Sequence, residues 1–242
     1  MNLFELQFRD SATQVTTALT HGLTDKAATA TAAAAFLGAL GSRVGPFPNV
    51  TFPGFTAFAT AQIALAQARA LSFNPLVPAA ALPGWTAYAR ASLPLLGAPA
   101  GAIAATVAAT AAATGVYERN ASNAVVPSSP SRAFTTPVWQ IAPWAGNAAA
   151  VFYDLHSQVD RQRALDAAMA ARAPAVTDVI TLVQDRAANI SRASGIVFAP
   201  VFDSPAPDAN STLVGFTSVV FSWDRREALS RLARLAERAR LT

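Results

Sequence analysis

Between Pro137 and Phe221 the chain passes through strand, turn, helix and strand, and then through two further strand segments. No other stretch limits the available folds as much. Pro137 to Ile141 is apolar, with β-branched or aromatic side chains at most positions, and Pro143 to Asn147 supplies turn residues. From about Asp160 to Arg172 an Ala, Leu and Met run carries Arg and Asp at intervals, which is good helix material, and Pro174 stops it. Val176 to Val183 resumes strand character. Gly195 to Phe202 and Leu213 to Trp223 are separated by a loop rich in Pro, Asp and Asn, at hairpin-like spacing. Strands that meet in this way and flank a helix predict an antiparallel α+β fold rather than a doubly wound sheet.

Upstream, residues 2 to about 42 read as one helix. Phe4, Phe8, Ala12, Val15 and Leu19 recur at helical spacing, and Ala27 to Leu40 continues the pattern. That length exceeds an ordinary compact domain and suits a stalk. Gly41 to Gly54 is a loop; helices are expected at Phe55 to Leu71 and Pro83 to Ser92, with a short strand at Phe73 to Val77 between them. Trp85 and Tyr88 share a helix face. Leu93 to Val116 is uncharged, but Ala, Gly and Thr carry too little hydrophobic area to hold a span in a membrane. It predicts a packed helix over Gly97 to Tyr117, followed by a polar loop from Glu118 to Thr136. Arg225 to Leu241 is amphipathic, with Leu229, Leu232 and Leu235 on one face. Such a helix either packs on its own domain or pairs in a dimer, and periodicity does not separate the two.

Charge and composition narrow the function. The net charge is +4, and residues 224–242, with six Arg against Asp224, Glu227 and Glu237, carry +3 of it. The body is nearly neutral, so a basic face for nucleic acid is not expected. Without cysteine there is neither a disulfide nor a thiolate metal site. His21 and His156 are the only histidines, and neither has neighbours at metal-ligand spacing. Asp154, Asp160 and Asp166 lie six apart and do not share a helix face. No glycine-rich phosphate loop or nucleophile elbow occurs. The reading is of a chain with no catalytic residue, no metal site and no cofactor. The first ten residues mix charge with apolar side chains and lack the apolar core of a signal peptide. Four of the eight asparagines, Asn49, Asn120, Asn189 and Asn210, stand in glycosylation acceptor sequences, which points to an extracytoplasmic space.

Several pieces, in order and spacing, resemble the CHASE domain, the extracellular sensory domain of receptor histidine kinases and nucleotide cyclases. They are Pro137–Val138, Trp144 to Asn147, Tyr153–Asp154–Leu155, Ile180 to Gln184, Gly195 to Phe202 and Gly215 to Phe221. Arg69 to Pro78 resembles the family segment that ends in an Asn-Pro-x-Val turn. The resemblance implies an N-terminal stalk helix and loop over residues 1–48 and a membrane-distal PAS-like module over 49–190. A smaller membrane-proximal PAS-like module over 191–223 and a juxtamembrane signalling helix over 224–242 complete the plan. It further implies flanking membrane helices, a homodimer and an unidentified small-molecule ligand on the outer or periplasmic side of a membrane.

In the family the effector pocket is lined by the distal sheet and the helix before it. That implies a ligand-binding set of Trp139, Ile141, Phe152, Thr177, Ile180, Leu182 and Phe198. Plant cytokinin receptors, which belong to the same family, use an Asp here to grasp the adenine edge. No acidic residue lies between Val138 and Tyr153, so an adenine-type ligand is disfavoured. The alternative to a ligand sensor is a glycosylated structural or protein-binding ectodomain whose pocket is filled by its own side chains. Expressed in a eukaryotic secretory host, the chain is expected to gain glycosidase-sensitive mass. Replacing Asn49, Asn120, Asn189 and Asn210 by Gln removes that gain; unmodified protein from such a host contradicts the extracellular placement.

Overall fold

The computed structural model describes residues 3–97, 101–182, 185, 190, 192–204 and 207–223. The amphipathic helix expected at Arg225 to Leu241 and the acceptor Asn189 lie outside the described residues, and the side chains of Phe4, Phe8 and Val15 are not described. The fold is α+β. A long helix α1 (Leu3–Val44) is followed by α2 (Phe55–Ala66), β1 (Ala70–Pro75), β2 (Val77–Pro78), α3 (Leu82–Ser92) and α4 (Ala102–Ala113). Then come β3 (Tyr117–Arg119), β4 (Val125–Pro127), β5 (Phe134–Thr135), β6 (Gln140–Ala142) and α5 (Val159–Ala171). β7 (Ala175–Val176), β8 (Ser194–Phe202) and β9 (Leu213–Ser222) complete the described chain.

One antiparallel sheet, in the order β6-β1-β9-β8-β7, organises the molecule. The hairpin of β8 and β9 supplies its longest ladder, from Ser194↔Ser222 to Phe202↔Leu213. β1 joins β9 through Ser72↔Ser218 and Asn74↔Phe216, and β6 joins β1 through Ser72↔Ile141. The boundary expected at residue 190 therefore falls between strands of a single sheet, for β8 and β9 pair in one ladder system with β1 and β6.

Opposed residues share a face. On one face stand Leu71, Phe73, Val219, Thr217 and Ala199, under α1 and α2; on the other stand Ser72, Ser218, Val220 and Ile196. Both faces are covered, and the strands accordingly read as continuous apolar runs with every residue of β1 and β8 buried. α1 presents Ala30, Ala33, Ala34 and Leu37 to the sheet, and the Thr217 hydroxyl donates to the Ala30 carbonyl at 2.8 Å. Trp85 and Tyr88 on α3 both meet Trp139, with ring centroids at 5.7 and 6.3 Å.

Three local expectations differ from what is found. The helix expected at Phe55 to Leu71 ends at Ala66, and Ala70 and Leu71 already belong to β1. The strand expected from Val176 to Val183 is only Ala175–Val176, followed by a lone bridge at Ile180↔Ser194. Thr177 is the cause: its hydroxyl takes the Ile196 N–H at 3.1 Å, a donor that a regular ladder gives to a backbone carbonyl. The segment expected to be a loop from Glu118 to Thr136 contains the β3–β4 hairpin, and β5 pairs with β2. Its turn is closed by the Asn120 side chain, which accepts from the backbone N–H groups of Ser122 and Ala124 at 3.1 and 3.0 Å.

Gly38 tests the closeness of α1 to the sheet. A Cβ there would lie 2.3 Å from the Phe202 carbonyl oxygen, whereas one at Gly84, near the start of α3, meets nothing within 4 Å. Gly38→Ala is expected to lower stability by about 1–3 kcal/mol despite the better helix propensity of alanine. Gly84→Ala is neutral or stabilises by under about 1 kcal/mol. Chemical denaturation of the two variants checks the contrast.

Candidate functional site

A cavity of about 30 Å³ lies between the second sheet face and α5. Ser72, Ile141, Ile196, Ser218 and Val220 form its sheet side. Tyr153, Leu155, Arg161 and Leu182 close it from the helix side. The volume suits about one or two water molecules.

The polar part of the wall is built across the two central strands. The Asn74 amide donates to the Ser218 hydroxyl and to the Phe216 carbonyl. Ser72 donates to Asn74 Oδ1 at 3.0 Å and lies 2.9 Å from the Ser218 hydroxyl. The single proton of Ser72 is used on Asn74, so Ser218 donates to Ser72 and the three groups close a ring. All three are buried, where a broken ring would leave a polar group unpaired.

Arg161 stands in the first turn of α5 and is 2 % exposed. Its guanidinium donates to the Gln158 side chain and, at 3.3 Å, to the Thr181 carbonyl, and it lies 5.6 Å from the centre of the Tyr153 ring. The Tyr153 ring packs edge-on to Tyr117 at 5.5 Å. The Tyr117 hydroxyl donates to the Ala149 carbonyl, and burial pushes that phenol well above its ordinary pKa. Asp154, fully buried next in the chain, accepts from the Ser128 hydroxyl at 2.8 Å and from the backbone N–H groups of Thr136 and His156 at 3.0 and 3.1 Å. Arg132 lies 3.6 Å from it. This carboxylate therefore ties the turn before α5 to the segment around β5.

Of the residues expected to bind ligand, Ile141 and Leu182 line the cavity. Trp139 and Phe152 lie in an aromatic cluster with Trp85, and the Trp139 indole donates to the Val50 carbonyl at 2.9 Å. Phe198 packs against Phe216 at 6.5 Å. Ile180 is held by its bridge to Ser194, and Thr177 by Ile196. Sequence reading missed Ser72, Arg161 and Ser218. Their signal was present as polar residues inside apolar strand runs, Ser72 and Asn74 in β1 and Ser218 in β9. For Arg161 no local signal distinguishes it from the exposed Arg163 on the same helix.

Among the described residues the wall holds no histidine or carboxylate to activate a serine, and no group of three His, Asp or Glu side chains is placed to hold a metal. His156 pairs with Asp166 at 2.9 Å, outside this wall. No helix of the described residues is long and apolar enough to cross a membrane. The CHASE domain family model matches residues 48–239, and the chain belongs to that family. CHASE domains are non-catalytic extracellular sensory domains of signalling receptors. No curated protein matches the chain.

Thr177 separates a structural role from a ligand-lining one. Thr177→Val keeps the volume and removes the acceptor for Ile196, so it is expected to destabilise the folded domain by about 1–3 kcal/mol with no ligand present. An unchanged urea midpoint contradicts that role.

Proposed function

We propose that the chain is the ligand-sensing part of a transmembrane receptor, placed on the extracellular or periplasmic side and relaying small-molecule binding to a cytoplasmic histidine kinase or nucleotide cyclase. The observation that carries the ligand reading is the cavity itself: a partly polar void walled by α5 on one side and by the two central strands on the other. Its walls draw on both parts of the chain expected as PAS-like modules, Ile141 and Arg161 from residues 49–190 and Ile196 and Ser218 from residues 191–223. A ligand larger than about two waters binds only when α5 and the sheet move apart, so its binding shifts the population toward the widened state. Such a shift acts directly on β9, whose end leads into residues 224–242. We further propose a homodimer, for which the Leu229, Leu232 and Leu235 repeat supplies an apolar seam. Asn49, Asn120 and Asn210 are exposed, which suits glycan attachment.

The water-sized void also supports a second reading, a glycosylated structural or protein-binding ectodomain without a small ligand. A thermal-shift screen separates the two. Binding raises the melting temperature by mass action, equivalent to about 2.7 kcal/mol at a hundredfold excess over Kd. Ala150 lines the cavity, and Ala150→Val fills it without removing a polar group. A compound that stabilises the wild type and not Ala150→Val is expected from the sensing reading. A screen with no stabiliser of that kind favours the structural one.

A further inference from the structure

The outward side of α2 is apolar, uncharged and exposed. None of its 12 residues, Phe55 to Ala66, is ionisable, and only Phe55, Ala59 and Ala66 are buried. Leu65 is 76 % exposed, and Ala57, Ala61 and Ala64 on the same side are exposed as well. Phe58 joins this stripe at helical spacing and stacks on Phe36 of α1, which is 47 % exposed, with ring centroids at 4.6 Å and planes at 21°. α1 itself has no charged residue from Ala27 to Ser42. α4 is uncharged too, but its exposed positions among the described residues are only Ala and Thr. A single exposed leucine means little, whereas an unbroken patch of large apolar side chains marks a surface that a partner covers.

The patch also indicates its occupant. A partner that placed a charge on this face would bury it opposite no counter-charge, so the fitting surface is itself uncharged. A helix that lies on a lipid surface carries Lys or Arg along its polar side, and α2 has neither. The exposed charges that bound the stretch on α1 are Asp25 and Arg43, of opposite sign. The patch meets these requirements for itself. We propose that a second copy of the chain covers it, the two α2 helices crossing antiparallel about a two-fold axis near Ala61. Such a contact sets Leu65 of each copy against Phe36 and Phe58 of the other. This inference rests on the homodimer proposed above and gives it a surface outside residues 224–242. α2 packs on β1 and β6, whose Ser72 and Ile141 wall the cavity from the opposite face of the sheet.

The test measures self-association of the full chain by sedimentation equilibrium. Leu65→Glu places a charge on the exposed stripe, and Val179→Glu places one on a residue 63 % exposed near the opposite edge of the sheet. The wild type is expected to form dimers, Leu65→Glu to raise the dimer Kd by about tenfold or more, and Val179→Glu to leave it unchanged. The chain has no cysteine, so Ala61→Cys gives one thiol per copy. With a copper–phenanthroline oxidant that thiol is expected to link two copies, where Val179→Cys does not. A wild type that stays monomeric overturns the inference, as does a dimer equally tight in Leu65→Glu. A dimer unchanged in Leu65→Glu but lost in Leu232→Arg keeps the homodimer and moves it to residues 224–242. A monomer throughout removes the homodimer as well, and leaves the ligand screen to decide the sensing reading on its own. A monomer that binds vesicles of phosphatidylcholine and phosphatidylserine, and loses them in Leu65→Glu, makes lipid the occupant and overturns the inference too. If circular dichroism shows Leu65→Glu unfolded, the Ala61→Cys link decides.

Discussion

The contact between α1 and the hairpin of β8 and β9 is the constraint on which the other elements depend. It is made by small residues. Ala30, Ala33 and Ala34 are buried on the sheet, and Gly38 leaves no room for a methyl group beside the Phe202 carbonyl. The helix backbone therefore lies close enough for the Thr217 hydroxyl to reach the Ala30 carbonyl. Lys26, the single lysine of the chain, extends the same contact: its ammonium donates to the Ala66 carbonyl at the end of α2, at 3.3 Å, and lies 5.4 Å over the Phe221 ring. A buried ammonium is tolerated because these groups receive it. α1, α2 and the last strand are joined at one point.

The same two strands also wall the cavity, from the opposite side. Thr217 and Val219 face α1, while Ser218 and Val220 face Arg161 and α5, because successive residues of a strand point to opposite faces. A single strand is thus in contact with both the cavity and the long helix. α5 is held differently at its two ends. At its C-terminus Arg172 donates to the carbonyls of Asp208 and Ser211 at 2.7 and 2.9 Å and stacks 4.1 Å from the Phe202 ring. At its N-terminus Arg161 faces the cavity.

Much of the fold was legible in the chain. The helix at 159–171, its stop before Pro174, and the two long strands follow from propensity and from breakers that act within a few residues. The short strand after Pro174 was not legible, because Val176 to Val183 has strand composition while the Thr177 hydroxyl competes for the ladder. The β3–β4 hairpin was hidden in a polar stretch whose turn depends on an asparagine side chain rather than on glycine. The site was less legible than the fold. Of the positions the resemblance names, Ile141 and Leu182 line the cavity, while Trp139, Phe152 and Phe198 make contacts with other aromatic rings that only the tertiary structure sets.

The chain by itself determined an α+β class, a helix longer than any compact domain needs, and two strand segments at hairpin-like spacing over residues 195–223. Hydrophobic period and turn residues are local properties, and they survive without knowledge of partners. The tertiary structure alone decided which polar residues meet. Ser72 and Ser218 are 146 positions apart and become neighbours only through the register of β1 on β9. Arg161 joins them only because α5 is laid across that face. A one-residue slip of β1 would turn Ser72 toward α1 and part it from Ser218, since register, and not composition, assigns each strand residue to a face.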